Sequence, residues 1–108
     1  MKQFTTPKQT AKLIELGFEK PKMAAPALKW VNGEPTFEPQ YTIGELIEML
    51  PKSLRYTDGD WSLSIESDTF LTNFTWWVYY AISCHTKASE LIDALFDMAI
   101  KLKEEEVI

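Results

Sequence analysis

The segment Phe74-Thr75-Trp76-Trp77-Val78-Tyr79-Tyr80-Ala81-Ile82 decides the fold of this chain. Aromatic and β-branched side chains at this density are typical of a β-strand. Side chains alternate across a strand, so every second residue shares a face. One face carries Trp76, Val78, Tyr80 and Ile82, and the opposite face carries Thr75, Trp77, Tyr79 and Ala81. Because both faces hold large rings, one is expected to cover the core and the other to be covered by something else or left partly wet.

Length and composition indicate a single soluble domain that spans residues 1–108. The chain is 45% hydrophobic and 25% charged, with four Trp, four Tyr and six Phe residues, and this aromatic content argues against disorder. The chain is acidic: its net charge of −5 repels the phosphate backbone of nucleic acids, and no basic cluster offsets it. We therefore expect no nucleic-acid partner.

The absence of sorting signals in the sequence favours a cytoplasmic protein. Cys84 is the lone cysteine, which excludes an intrachain disulfide and fits a reducing compartment. Residues 1–10 are polar and lack the apolar run of a signal peptide. No apolar stretch approaches the roughly 20 residues that cross a bilayer, so no membrane partner is expected.

Local signals predict three helices. Thr6 and Thr42 each begin a capping box, and Gly17 and Pro51 end the helices that follow. The third helix is predicted from Thr86 or Lys87 to near Glu105, and its apolar residues recur at helical spacing. Four of these residues are expected to be buried against one face of the aromatic strand: Leu91, Leu95, Ala99 and Leu102. Phe96 and Ile100 fall beside this stripe, so the apolar arc is wider than one sheet face requires.

Further strands accompany the aromatic one. Asn32-Gly33 between two short apolar runs predicts a β-hairpin over residues 28–37, and Pro35 confines its strand to an edge. Residues 19–26 are interpreted as an irregular connector. Residues 61–66 alternate and predict one strand with Trp61, Leu63 and Ile65 on its buried face. The fold is therefore predicted to be α+β: a mainly antiparallel sheet of three to five strands, with three helices and the long C-terminal helix packed on the sheet.

Three stretches together resemble a family of short uncharacterised proteins from gut anaerobic bacteria, often met in prophage-like or mobile segments. The resemblance rests on residues 5–18, on residues 41–51, and on residues 90–98 with 101–105, and chain length and order also match. Glu106 stands where the family would have a glycine. The resemblance implies no assigned activity, so no functional residues are carried over. A mobile-element setting would imply a regulator or accessory factor.

No residue pattern points to catalysis, a metal or a cofactor. Cys84-His85 is the only thiol–imidazole pair, but neighbours on an extended segment point to opposite sides, and a loop before the last helix is expected. Two such ligands are too few for zinc, and Asp58-Gly59-Asp60 lacks the spacing of a calcium loop. Glu45 and Glu48 are interpreted as part of a solvated helix face. The protein is therefore predicted not to be an enzyme, with no catalytic residues, cofactor or metal.

The aromatic residues are the remaining functional lead. They either fill a small core and its rim or line a groove, and the members of this set are Trp30, Phe37, Trp61, Phe70, Trp77 and Tyr79. The interaction surface is predicted to combine Trp77, Tyr79, Trp30, Phe96 and Ile100. We expect a small non-catalytic protein-interaction or regulatory module that binds a protein partner or forms a homodimer. The alternatives are an acidic decoy of a basic nucleic-acid-binding partner and a small-molecule or peptide-binding domain with an aromatic groove.

Overall fold

The computed structural model describes residues 3–22, 24–56, 59–68, 75–81, 84–106 and 108. The predicted α+β class and the three helices are confirmed. The elements in chain order are α1 (Pro7–Glu15), β1 (Ala24–Val31), β2 (Glu34–Pro39), α2 (Ile43–Met49), β3 (Ser53–Tyr56), β4 (Gly59–Ser62), β5 (Ser64–Asp68), β6 (Thr75–Ala81), β7 (Cys84–Ala88) and α3 (Leu91–Glu104). The described strands form two antiparallel hairpins, β1–β2 and β3–β4, and one antiparallel sheet in the order β5-β6-β7.

The aromatic segment is the central strand of the three-stranded sheet. Strand β6 covers Thr75–Ala81 and pairs with β5 on one side and β7 on the other. Phe74 and Ile82, the predicted ends of this strand, lie outside the described residues. Val78 and Tyr80 are fully buried, whereas Trp77 and Tyr79 are half-buried, so the predicted division into two unequal faces is confirmed.

The core lies between the buried face of this sheet and α3. All four residues expected to be buried on the last helix are buried: Leu91, Leu95, Ala99 and Leu102. The polar groups at this interface are paired, since the Thr86 hydroxyl donates to the Ala94 carbonyl at 2.7 Å and the Tyr80 hydroxyl donates to the Pro51 carbonyl at 2.6 Å. The α3 helix therefore closes one side of the sheet, and its wide apolar arc also contacts α2 and α1.

Helix α1 begins and ends as its sequence predicts. The Thr6 hydroxyl accepts from the Gln9 backbone N–H, and the Gln9 side chain accepts from the Thr6 N–H. At the other end, the Phe18 N–H reaches the Leu13 carbonyl at 3.1 Å while Gly17 adopts a left-handed φ of +98°. This is the Schellman arrangement, in which only glycine avoids a Cβ penalty.

Helix α2 repeats the capping box and helps to hold the N-terminus of the chain. The Thr42 hydroxyl accepts from the Glu45 N–H at 3.1 Å. Just before it, the Tyr41 N–H donates to the buried Thr5 hydroxyl at 3.0 Å, and Thr5 in turn contacts the Thr10 hydroxyl at 2.7 Å. These bonds satisfy buried polar groups that would otherwise be costly. They also fix the start of α1 beside the start of α2.

The prediction of one strand over residues 61–66 is wrong. Strands β4 and β5 are separate, and the chain breaks between them at Leu63, whose N–H donates to the Lys52 carbonyl at 2.9 Å. Strand β4 pairs with β3, a strand that the sequence did not predict, and not with the sheet. Trp61 is therefore 40% exposed and not part of the buried face, whereas Leu63 and Ile65 pack against the core.

Two element boundaries also differ from the sequence prediction. Residues 84–88 form β7, so Cys84 and His85 lie in a strand and not in a loop before a helix, and α3 starts at Leu91 instead of residue 86 or 87. All five residues of β7 pair with β6, and this pairing holds Thr86 to Ala88 in a strand although their spacing is also compatible with a helix. Strand β1 likewise starts at Ala24, inside the segment interpreted as a connector, and it carries an irregularity between Ala24 and Leu28.

The β1–β2 hairpin confirms the turn signal and projects from the rest of the chain. Asn32 and Gly33 both have positive φ, +53° and +79°, as the two central residues of a type I′ turn require. Within the part of the chain that is described, β1 and β2 contact each other and make few contacts with any other element. The molecule is correspondingly long and thin, 56 × 35 × 18 Å.

Candidate interaction face

The face of the β5–β6–β7 sheet that is turned away from α3 is the candidate site, and we call it the outer face. Trp77 and Tyr79 stand at its centre on β6. Glu66 lies opposite Trp77 on β5, and Lys87 lies opposite Trp77 on β7. Ser64 and His85 flank Tyr79 in the same way. The arrangement is an aromatic centre with a polar side chain on each border.

The Trp77 ring is held by two side chains from β7. The Lys87 ammonium lies 5.3 Å from the ring centroid, within the range of a cation–π contact. The His85 ring lies 5.6 Å from the Trp77 ring at an interplanar angle of 35°. Cross-strand contacts of this kind restrict the rotamer of the indole before any partner arrives. Trp77 is therefore a half-buried ring with two contacts to the neighbouring strand.

Tyr79 is held from the other border of the outer face. Its hydroxyl donates to a Glu66 carboxylate oxygen at 2.8 Å. This hydrogen bond raises the pKa of Tyr79 above its ordinary value, and burial and the negative charge of Glu66 act in the same direction. The phenol therefore remains a neutral donor at physiological pH. The border on β5 is negative and the border on β7 is positive, so the outer face has a charge gradient across its strands.

Phe96 and Ile100 lie elsewhere on the molecule. They line a shallow groove of about 440 Å³ on the α3 surface, together with Lys12 of α1. Since α3 covers the opposite side of the sheet, the structure brings Trp77 and Tyr79 together and separates this pair from Phe96 and Ile100. Asp97 borders the same groove and is exposed on its solvent side. Partial desolvation against the groove, followed by the charge of Asp93, raises the pKa of its carboxyl.

Trp30 occupies a third position. It lies in β1 opposite Pro35 of β2, on the projecting hairpin. The side chains of Trp30 and Phe37 fall outside the description, as does the whole of Phe70. The predicted surface is thus distributed over the outer face, the α3 groove and the hairpin.

A second cavity was not predicted from the sequence. A cleft of about 420 Å³ lies between the end of α1 and α2, with Phe18, Tyr41 and Met49 among its lining residues. The Tyr41 hydroxyl donates to the Glu19 carbonyl, and burial, followed by the charges of Glu45 and Glu19, raises its pKa. No periodic pattern joins residues 17–22 to residues 41–49, so only the fold reveals this cleft.

The residues considered for catalysis or metal binding occupy positions that serve the fold. Cys84 is buried beneath the sheet while His85 is exposed on its other side. Glu45 is not free on a solvated face, because one carboxylate oxygen completes the α2 capping box and the other accepts from the Lys22 N–H at 3.0 Å. Among the residues that the structure describes, no group of three or more potential ligands could hold a metal ion. Asp58 lies outside that part of the chain.

No helix in the described ranges is both long enough and apolar enough to cross a bilayer. Comparison of the chain with family models, with curated proteins and with solved structures finds no match. The resemblance to short proteins of mobile segments therefore stays a prediction.

Proposed function

We propose that this protein is a small, non-catalytic, cytoplasmic interaction module that binds a protein through the outer face. The observation that supports the proposal is the pair Trp77 and Tyr79, held side by side by Lys87, His85 and Glu66 on a sheet face that α3 leaves uncovered. Trp and Tyr are the residues that most often dominate binding energy at protein interfaces. Fixed rings also lose little rotamer freedom when a partner binds.

The anatomy of the outer face favours a protein partner over a small substrate. An aromatic centre with a polar border matches the usual arrangement of a protein interface. Neither of the two cavities described above lies on the outer face, whereas small ligands are typically enclosed on most sides. In the cell, a module of this kind acts by occupying its partner, as a regulator or accessory factor does.

Affinity capture with matched variants tests the proposal. Trp77→Ser with Tyr79→Ser removes the two rings of the outer face. Loss of two central anchors is expected to weaken binding by more than about 30-fold, because the loss of even one such residue costs about 2 kcal/mol or more. Partners that wild-type protein captures from its host, including further copies of the chain, should disappear from the captures made with this variant.

Ile14→Ser is the matched control. Ile14 is an exposed apolar residue, 37% accessible, on α1, which packs beside α3 and not on the outer face. This variant should capture the same proteins as the wild type. Captures that are identical for the wild type and the variant at residues 77 and 79 would contradict the proposal.

A second candidate function rests on the cleft between α1 and α2. Its volume of about 420 Å³ lies in the range of small-molecule sites, and Phe18, Tyr41 and Met49 give it an apolar wall. The charged residues of its lining are three carboxylates and two ammonium groups, those of Glu19, Glu45, Glu48, Lys20 and Lys22, so the cleft is negative by one charge. These features suit a small amphipathic cation. Millimolar aromatic amines should raise the melting temperature of the wild type more than that of Glu48→Gln, and equal shifts would remove this candidate.

A further inference from the structure

The outer face carries one charge on each of its borders, and the register places both charges at the same position along the strands. Glu66 of β5 and Lys87 of β7 each lie opposite Trp77 of β6. Both charged side chains are exposed, and the hydrogen bond from the Tyr79 hydroxyl to Glu66 is exposed as well. Across the sheet, the outer face therefore presents a negative charge, an aromatic ring and a positive charge in that order.

This order of charges is complementary to itself under one kind of two-fold rotation. When two such sheets pack face to face about an axis parallel to β6, β5 of each copy lies over β7 of the other. Glu66 of each copy then faces Lys87 of the other, and the two Trp77 rings meet at the centre. An axis across the strands would instead set like charges against each other, which is unfavourable. The charges therefore select the first orientation.

We propose that the outer face packs on the outer face of a second copy of this chain, about a two-fold axis parallel to β6, with Glu66 of each copy paired with Lys87 of the other. This inference rests on the proposed function and names the partner of the same face. A two-fold contact uses one patch on both copies, so that patch must be complementary to itself. The outer face meets this requirement, since its single Glu and single Lys lie on opposite borders at the same position along the strands.

The contact area predicts weak association. Three strands at a spacing of about 4.8 Å and five residues at a rise of about 3.4 Å give an outline of about 14 by 17 Å, or about 240 Å², on each copy. The two copies together bury about 500 Å², which is below the size of stable interfaces and typical of transient contacts. A dissociation constant between about 0.1 and 1 mM is therefore expected. A tighter partner that binds the same face displaces the second copy.

Sedimentation of charge-exchanged variants tests the contact. Glu66→Lys alone places like charges against each other at both contacts of the dimer, and so does Lys87→Glu alone. Each variant should self-associate about 10-fold more weakly than the wild type, because two favourable pairs of exposed charges become two unfavourable ones. An equimolar mixture of the two variants should recover the association of the wild type, since the two exchanged charges then face each other, as do the two native ones.

Glu15→Lys and Lys8→Glu are the matched controls. Both residues are exposed on α1, and their substitution changes the net charge of the chain by the same amounts as the two test variants. Each control should self-associate like the wild type, and mixing the two should add nothing. The contacts of Trp77 and Tyr79 within each chain are disturbed equally in the separate test variants and in their mixture. Recovery in the mixture therefore reports contact between copies.

Three results would overturn the inference. A wild type that remains monomeric up to about 1 mM would exclude the dimer. Test variants that associate as well as the wild type, or a mixture that associates no better than its separate components, would exclude this contact. The proposed function is judged separately by affinity capture: it survives the loss of the dimer when a different protein is captured by the wild type and not by Trp77→Ser with Tyr79→Ser. Thermal melts check that each variant is folded.

Discussion

The ends of two helices allow a quantitative test of how backbone conformation sets the stability of this fold. Gly17 follows α1 with φ +98°, and Glu106 occupies the equivalent position after α3 with φ +57°. Both are left-handed, a conformation that costs a residue with a Cβ about 1–2 kcal/mol. Gly17 is the residue type that this conformation favours, whereas Glu106 is not. Glu106→Gly should therefore stabilise the protein, and Gly17→Ala should destabilise it.

The magnitude for Glu106→Gly follows from three contributions. Glycine relieves about 1–2 kcal/mol at Glu106, but it costs about 0.5–1 kcal/mol in unfolded-chain entropy. Removing a negative charge beside the negative end of α3 adds about 0.3 kcal/mol. The net gain is about 1 kcal/mol. At Gly17 a new Cβ meets no heavy atom closer than the Lys103 ammonium at 4.0 Å, so the loss is conformational and amounts to about 1 kcal/mol.

Urea denaturation measures both effects. With a slope near 1.5 kcal/mol per molar, the midpoint should rise by about 0.7 M for Glu106→Gly and fall by about 0.7 M for Gly17→Ala. Glu106→Gln is the control for the charge alone and should account for less than half of the gain. A midpoint that falls for Glu106→Gly would refute the reasoning, because it would mean that strain at this position is absent or relaxed at no cost.

Two further predictions concern α3. Leu95 is fully buried, so Leu95→Ala should cost about 3 kcal/mol of stability and lower the melting temperature by roughly 12 °C. Leu95→Asp should abolish the cooperative melt, and a retained melt would contradict the packing of α3 on the sheet. The pKa of Asp97 is raised above 3.8 by burial and by Asp93, so the folded protein loses stability as pH rises through the raised value. Asp97→Asn should therefore equal the wild type in stability below pH 3.8 and exceed it at neutral pH. Urea midpoints of the two proteins, measured from acid to neutral pH, should differ only above pH 3.8.

The features that sequence reasoning located correctly are local ones. Capping boxes at Thr6 and Thr42 each involve residues three apart, and the Asn32-Gly33 turn depends on two adjacent φ angles. Alternation likewise separates Val78 from Trp77 because strand geometry alone decides which side a residue takes. None of these features requires knowledge of the rest of the chain.

The features that it missed depend on distant pairing. Strand β7 exists because β6 is beside it, and without that neighbour the spacing of Thr86 to Ala88 continues the helical pattern. Trp61 alternates correctly, but pairing of β4 with β3 removes it from the core. At the candidate site the sequence identified Trp77 and Tyr79 but not the residues that hold them, because the contacts with Lys87 and Glu66 are set by register.

The placement of the rings on the outer face poses an energetic question that stability alone does not answer. Thr or Val in the middle of β6 would serve a wet sheet face well, and large exposed rings carry a risk of unwanted association. The cation–π contact of Trp77 and the hydrogen bond of Tyr79 each stabilise the fold by only about 1 kcal/mol. A protein partner that covers the two rings would remove their apolar surface from water. This is why we propose the outer face, and not the α3 groove, as the binding surface.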